Sequence, residues 1–236
     1  MKTVSFSGID GAGKSTQIEQ LTAFLREAGF RVEVLRFWDD IAVLGRLREL
    51  STHTIFKSEG GVGTPERPVN RRDKNVTSWY MAPVRYFLYS LDAAYLAFVM
   101  AKMRMAHRKN SNHFVVFDRY LYDELANLPL QGILTRLYVR TLLAFAPRPD
   151  VIYLLDSDPV QARARKPEYP LDFLHKNRAA YLNLAKLIGD VVIVPPLSVR
   201  EAAATITNAA AKLLPSSGRS ATMTQEVSDH GLGIAL

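Results

Sequence analysis

The stretch SFSGIDGAGKST, residues 5–16, limits the possible folds of this chain more than any other feature. Gly8 is followed after four residues by Gly13-Lys14-Ser15, the spacing at which backbone N–H groups converge on phosphate oxygens and a lysine neutralises their charge. Apolar residues alternate before the glycines and follow a helical spacing after them. The pattern predicts a strand, a phosphate-binding loop and a helix whose positive dipole end faces the loop. The alternative is a glycine-rich turn without a ligand.

The rest of the chain alternates between strand and helix patterns. Short β-branched or aromatic runs bounded by turn residues predict four further strands, at 31–36, 113–118, 150–156 and 190–195. Helical spacing occurs at about 40–50, 83–108, 121–145, 171–188 and 198–213. This order predicts an α/β fold, a five-stranded parallel sheet with helices on both faces. Functional groups then collect at the carboxyl ends of the strands, which carry Gly8, Arg36, Asp118 and Asp156.

Two segments depart from this alternation. The chain length suits one domain, which we expect to span residues 1–213. Residues 51–82 are predicted to form an insertion or flap beside the cleft, or else a solvated surface loop. The basic residues of this segment are Arg67, Arg71, Arg72 and Lys74. Residues 214–236 lack periodicity and are predicted to be a disordered tail.

Composition and charge narrow the function classes. The chain has no cysteine, which excludes disulfides and thiolate metal sites and suits a reducing cytoplasm. Only three residues precede the first strand, so we expect no export signal. The apolar run 86–105 contains Asp92, Lys102 and Arg104 and is interpreted as a buried helix rather than a membrane span. A formal net charge of +7 fits either nucleic acid or a pocket for several phosphates, and charge alone does not decide between them.

A second motif has to select among the proteins that use phosphate loops. A GTPase should carry a guanine motif after a strand, but Asn70-Arg-Arg-Asp73 has no strand before it. A motor ATPase should carry a second carboxylate next to the aspartate that faces its metal ion. Here the residue that follows Asp118 is Arg119. A kinase must bind a second, anionic substrate, so an arginine at the end of a strand favours this class.

Three motifs, in identity and order, resemble the thymidylate kinase family. They are GIDGAGKST at 8–16, Asp118-Arg119-Tyr120, and DSDPVQA at 156–162; residues 171–185 also resemble the family's helix after the lid. The similarity covers about residues 1–213. It implies a P-loop kinase fold and Mg²⁺- and ATP-dependent phosphoryl transfer to a nucleoside monophosphate, with dTMP as the first acceptor to test. It also implies a cytoplasmic homodimer, packed through the apolar helix 86–101, with no membrane or nucleic-acid partner.

The resemblance further implies roles for individual residues. ATP contacts are expected from the loop and from a short lid at 163–170, through Gly8, Ile9, Asp10, Gly11, Ala12, Gly13, Lys14, Ser15, Thr16, Arg163 and Arg165. Acceptor contacts are expected from Asp10, Arg36, Phe37, Tyr89, Arg119 and Tyr120, and Mg²⁺ contacts from Ser15 and Asp118. Lys14, Asp10, Arg119 and Arg165 are the expected catalytic residues. Structural alternatives remain open: a loop cap for Asp10, a purely structural Asp118–Arg119 pair, and packing for Phe37 and Tyr89.

The acceptor pocket departs from the family pattern. Phe-Trp-Asp-Asp follows Arg36 where the family commonly has Glu-Pro-Gly-Gly-Thr, and Ala93 stands where the family has an arginine that reads thymine. Glu124 stands where the family often has a small polar residue or an amide. Loss of a buried donor to the base costs about one to a few kcal/mol of discrimination. The acceptor could therefore be another nucleotide, a nucleoside or a phosphorylated metabolite, and a low-turnover ATP-binding regulatory protein is the alternative from another class.

Overall fold

The computed structural model describes residues 1–43, 82–108 and 112–214. The strands are β1 Lys2–Ser7, β2 Arg31–Arg36, β3 His113–Asp118, β4 Val151–Leu155 and β5 Val191–Val194. The helices are α1 Lys14–Glu27, α2 Ala82–Ala106, α3 Leu121–Leu125, α4 Ile133–Phe145, α5 Pro159–Arg165, α6 Leu171–Ile188 and α7 Val199–Ala211. The predicted flap at 51–82 and tail at 214–236 lie outside the described residues, apart from residues 82 and 214.

The five strands form one parallel sheet in the order β2-β3-β1-β4-β5. Asp118 at the end of β3 is in register with Phe6 of β1 on one side and with Arg36 of β2 on the other. The carboxyl ends of the strands therefore lie side by side. The predicted α/β class is confirmed.

Side chains of β3 show why the sheet is covered on both faces. Successive residues of a strand point to opposite faces, and all four apolar residues of β3 are fully buried. Val115 and Phe117 pack into one core with residues of α2, α3, α4 and α6. Phe114 and Val116 pack into a second core with residues of α1 and α7. A strand buried on both faces needs a continuous apolar run, which is what β3 has.

Two predicted helices differ from the observed ones. The single helix predicted at 121–145 is wrong in its middle, because α3 and α4 are separated by residues 126–132. This segment contains Pro129 and Gly132, and proline lacks the N–H that a helix interior needs. Residues 40–43 are the described part of the helix predicted at about 40–50. Of these, residues 40 and 41 end one π-helical turn, Phe37–Ile41, and residues 42 and 43 are not helical. Residues 44–50 lie outside the described part of the chain.

Helix α2 is buried along one face only. Among the described helices it alone is long and apolar enough to cross a bilayer, by length and composition only. Its Asp92 is fully buried and accepts a hydrogen bond from the Val43 N–H at 2.6 Å, while Leu96 packs in the core. Phe87 and Phe98 are exposed on the other side. The prediction of a buried helix therefore holds for one face.

Candidate active site

The loop between β1 and α1 passes very close to neighbouring backbone. Gly8 and Gly11 have φ angles of 144° and 84°, which side chains rarely adopt. A Cβ on Gly8 would lie 2.5 Å from the carbonyl oxygen of Leu155, and a Cβ on Gly11 would collide with the carbonyl oxygen of Ala162. Glycine is thus required where the loop meets β4 and α5. This packing fixes the loop at the N-terminus of α1, where backbone N–H groups favour an anion.

Lys14 folds back onto this loop. Its side chain is buried, and Nζ donates hydrogen bonds to the carbonyl oxygens of Gly8 at 2.8 Å and Ile9 at 2.9 Å. An ammonium group binds anionic oxygens more strongly than neutral carbonyl oxygens. The lysine is therefore placed to exchange a carbonyl for a phosphate oxygen. Ser15 and Thr16 are exposed on the first turn of α1.

Arg119 connects the end of β3 to the phosphate loop. Its Nη2 donates to Oδ1 of Asp10 inside the loop, and its Nη1 donates to Oδ1 of Asp123 on α3 at 3.2 Å. Burial by itself lowers the pKa of Arg119, but the carboxylates of Asp10 and Asp123 outweigh burial and raise that pKa above its ordinary value. The guanidinium is therefore permanently charged. Arg119 lies at the carboxyl ends of the strands, next to the loop that holds Lys14.

Arg36 lies at the end of β2, beside Asp118 in register. Its backbone N–H donates to Oδ2 of Asp40 at 2.7 Å, and its Nη1 lies 3.9 Å from Oδ2 of Asp39. The side chain is 71% exposed, so water screens this ion pair and little energy holds the guanidinium in place. Arg36 can therefore turn toward an anionic ligand at low cost.

Three aromatic residues predicted to contact the acceptor are buried in the core. Phe37 and Tyr120 are fully buried, Tyr89 is nearly so, and all three belong to the core formed with α2 and α3. The Tyr120 hydroxyl donates to the carbonyl oxygen of Pro147 at 2.6 Å. These positions favour the packing alternative, and acceptor contact by these rings stays a prediction.

The two lid arginines have different surroundings. A cleft of about 200 Å³ beside the phosphate loop is lined by Gly13, Ser157 and Arg165, among others. Arg165 donates from Nη2 to Oγ of Ser157 at 2.7 Å. Arg163 instead donates to the carbonyl oxygen of Tyr169, in the turn between α5 and α6. Of the two, Arg165 is therefore the one placed at the cleft.

Two further site residues were not predicted from the sequence. Asp123 has a recognisable signal, because it follows Arg119 at the i, i+4 spacing of a helical ion pair. Arg178 has no such signal, since its partner Asp156 lies 22 residues earlier. Nε and Nη2 of Arg178 donate to the two oxygens of Asp156 at 2.6 and 2.7 Å. This pair ties α6 to the end of β4, and Asp156 also lines the cleft.

The chemistry of the site suits a metal ion bound mainly through phosphates. Within residues 1–43, 82–108 and 112–214, no group of three His, Cys, Asp or Glu side chains could hold a metal ion. Mg²⁺ bound to a nucleotide needs only one or two protein ligands besides phosphate oxygens and water. The exposed Ser15 and the half-buried Asp118 carry side-chain oxygens, which Mg²⁺ prefers as ligands. Both residues lie at the carboxyl ends of the strands, beside the phosphate loop.

Known proteins similar to this chain are nucleotide kinases by name. A curated thymidylate kinase from Bifidobacterium longum (strain DJO10A) is 31% identical over 192 residues, which cover 77% of this chain and 82% of that protein. The thymidylate kinase of Chlorobium luteolum is 30% identical over 166 residues, or 69% of this chain and 65% of that protein. A probable thymidylate kinase from Archaeoglobus fulgidus is 27% identical over 189 residues. No protein-family model matches the chain.

Proposed function

Because the chain belongs to the thymidylate kinase family, we propose that it transfers the γ-phosphoryl group of ATP to a nucleoside monophosphate, with dTMP as the first acceptor. The contact between Arg119 and Asp10 carries the proposal. It brings a partly buried cation from the end of β3 directly against the loop that holds Lys14. A second cation against the phosphate loop, besides Lys14, suits a second phosphate-bearing ligand placed end to end with ATP.

The residues of the site then have separate tasks. The phosphate loop and Lys14 bind the phosphates of ATP, and Arg36 and Arg119 orient the acceptor phosphate for in-line attack. Mg²⁺, held by Ser15 and Asp118, would supply positive charge to the ATP phosphates. The attacking group is an oxygen of the acceptor phosphate, which is already ionised at neutral pH. Positioning and charge neutralisation therefore suffice, and no protein base is required.

The base of the acceptor nucleotide is to be identified by experiment. Ala93 is buried and carries no hydrogen-bonding side chain, while Glu124 is fully buried beside the same core. We therefore propose a coupled assay of ADP formation with Mg·ATP and dTMP, dUMP, dCMP, dGMP or dAMP in turn. Saturable turnover with dTMP supports the proposal. A protein that binds ATP and phosphorylates none of the five overturns it in favour of a regulatory role.

The surroundings of the lid arginines lead to a matched pair of variants. Arg165→Ala should lower kcat by roughly 10²-fold, because the cation at the cleft neutralises charge on the transferring group. Arg163→Ala should lower kcat by less than about fivefold, since Arg163 holds a backbone carbonyl in the turn. Steady-state kinetics of both variants under saturating ATP and acceptor measure this. Equal losses in the two variants would contradict the assignment of Arg165.

We also propose that residues 1–213 form a single cytoplasmic kinase domain that dimerises through α2. The exposed face of α2 carries apolar side chains at helical spacing: Val84, Phe87, Tyr95, Phe98 and Met105. An apolar stripe of this length is characteristic of an interface. Phe98, which is 63% exposed, lies within this stripe.

Phe98→Glu should convert the dimer into a monomer, because it places a charge in the buried centre of the interface. Light scattering coupled to size-exclusion chromatography measures the molar mass. Ile193→Glu is the control, since Ile193 is also exposed but lies on β5 at the edge of the sheet. Wild-type protein that is monomeric, or that binds lipid vesicles through α2, would contradict the dimer.

A further inference from the structure

We propose that Asp123 is a positioning residue that anchors Arg119, so that the acceptor phosphate displaces Asp10 from Arg119 while Asp123 keeps its contact. The inference rests on the proposed function. It assigns the two carboxylates that touch Arg119 opposite behaviour during acceptor binding: one is fixed and the other is exchangeable.

Asp123 is held from several sides. It is 2% exposed and accepts four hydrogen bonds, two on each carboxylate oxygen. Oδ2 accepts from Oγ of Ser7 at 2.6 Å and from the N–H of Tyr120 at 3.0 Å. Oδ1 accepts from the hydroxyl of Tyr181 at 2.7 Å and from Nη1 of Arg119 at 3.2 Å. These donors come from β1, the end of β3, and α6, so the carboxylate cannot follow a moving arginine.

The backbone of Arg119 is also fixed. Its φ angle is 68°, a left-handed conformation that is unfavourable for a residue with a side chain. Its N–H donates to the carbonyl oxygen of Phe6 at 3.0 Å, which ties the residue to β1. A strained residue persists only where its surroundings determine its conformation. The buried contact with Asp123 is part of those surroundings, and it directs the guanidinium toward the phosphate loop.

The contact with Asp10 differs, because Asp10 belongs to the loop that binds phosphate. A guanidinium has five N–H donors, so Arg119 can give the donor that now faces Asp10 to an acceptor phosphate and keep its bond to Asp123. The displaced Asp10 carboxylate is then available to the acceptor sugar or to Mg²⁺. Acceptor binding thus exchanges one of the two carboxylates on Arg119 for a phosphate oxygen.

Asp123→Asn tests this, because it keeps the size of the side chain and removes its charge. Steady-state kinetics are measured with Mg·ATP and the monophosphate that the wild-type protein uses best. Of the two carboxylates, Asp10 is then the one that still bonds to the guanidinium of Arg119, and the acceptor must compete for a guanidinium that has lost its charged anchor. The acceptor KM should rise about tenfold or more while the KM for ATP changes less than about twofold. A purely structural residue would lower thermal stability without separating the two KM values.

Asp150→Asn is the matched control. Oδ2 of Asp150 accepts from the N–H and the hydroxyl of Thr3, each at 2.8 Å, at the amino end of the sheet. This variant should lower the melting temperature and leave both KM values unchanged. If Asp123→Asn does not fold, Asp123→Glu retains the charge but moves it by one methylene, and a rise of about fivefold in acceptor KM is expected.

The outcomes separate this inference from the proposed function. An active wild-type protein whose Asp123 variants change both KM values equally, or neither, overturns the anchoring role alone. A wild-type protein that phosphorylates no monophosphate overturns the proposed function, and this inference with it.

Discussion

Replacement of Lys14 by methionine should lower kcat by roughly 10³-fold, because an interaction that strengthens as charge develops on the transferring oxygens contributes to kcat rather than only to binding. The Nζ group now bonds to the carbonyl oxygens of Gly8 and Ile9, within the loop itself. The variant retains the loop glycines and the side-chain length. The affinity for an ATP analogue should therefore fall less than kcat does.

The measurement combines single-turnover kinetics with calorimetric binding of a non-hydrolysable ATP analogue. Lys186→Met, in the last turn of α6, is the control for loss of a lysine charge and should leave kcat unchanged. If Lys14→Met weakens analogue binding and leaves kcat intact, Lys14 has no role in the chemical step. That result would contradict the expectation that Lys14 is a catalytic residue.

Replacement of Arg119 by methionine should affect both stability and catalysis. It leaves the carboxylates of Asp10 and Asp123 in a buried site without their shared cation, and loss of one partner of a buried ion pair costs about 3–5 kcal/mol. Under the proposed function, the same change also removes the cation that orients the acceptor phosphate. We therefore expect kcat/KM for the acceptor to fall by roughly 10²–10³-fold.

Urea unfolding followed by circular dichroism measures the first effect. Arg148→Met is the control, because Arg148 is half-exposed and bonds to the carbonyl oxygen of Gly189 at 2.6 Å at the surface. It should cost less than about 1 kcal/mol. Addition of Asp123→Asn to Arg119→Met should recover part of the lost stability, since it removes one of the unpaired charges. Additive losses in the double variant would contradict a coupled network.

Much of the fold could be predicted because each strand is a short apolar run between turn residues. β3 is buried on both faces and reads as a continuous run, and α6 was predicted with its observed bounds, residues 171–188. The break between α3 and α4 was missed because apolar residues continue through it, although Pro129 and Gly132 interrupt the helix. The pairing order of the strands depends on contacts between distant residues, which no local pattern encodes.

The site was predictable where a motif carries the chemistry and not where side chains select partners across the fold. The phosphate loop and the strand-end positions of Arg36 and Asp118 follow from spacing. The sequence did not predict that Arg119 bonds to Asp10, or that Arg163 and Arg165 separate into a turn contact and a cleft contact. These side-chain pairings depend on the distances between helices and strands, which are set only when the sheet and its helices pack.

The proposed placement of ATP and the acceptor end to end is tested most directly by the binding of a single compound: adenosine and thymidine joined 5′ to 5′ through five phosphates, titrated calorimetrically in the presence of Mg²⁺. If the site holds ATP and dTMP end to end, this compound should bind roughly 10²-fold or more tightly than either ATP or dTMP alone, because one molecule occupies both binding positions. An affinity no greater than that of ATP would contradict this arrangement, since it would show that no site for dTMP lies in line with the ATP site.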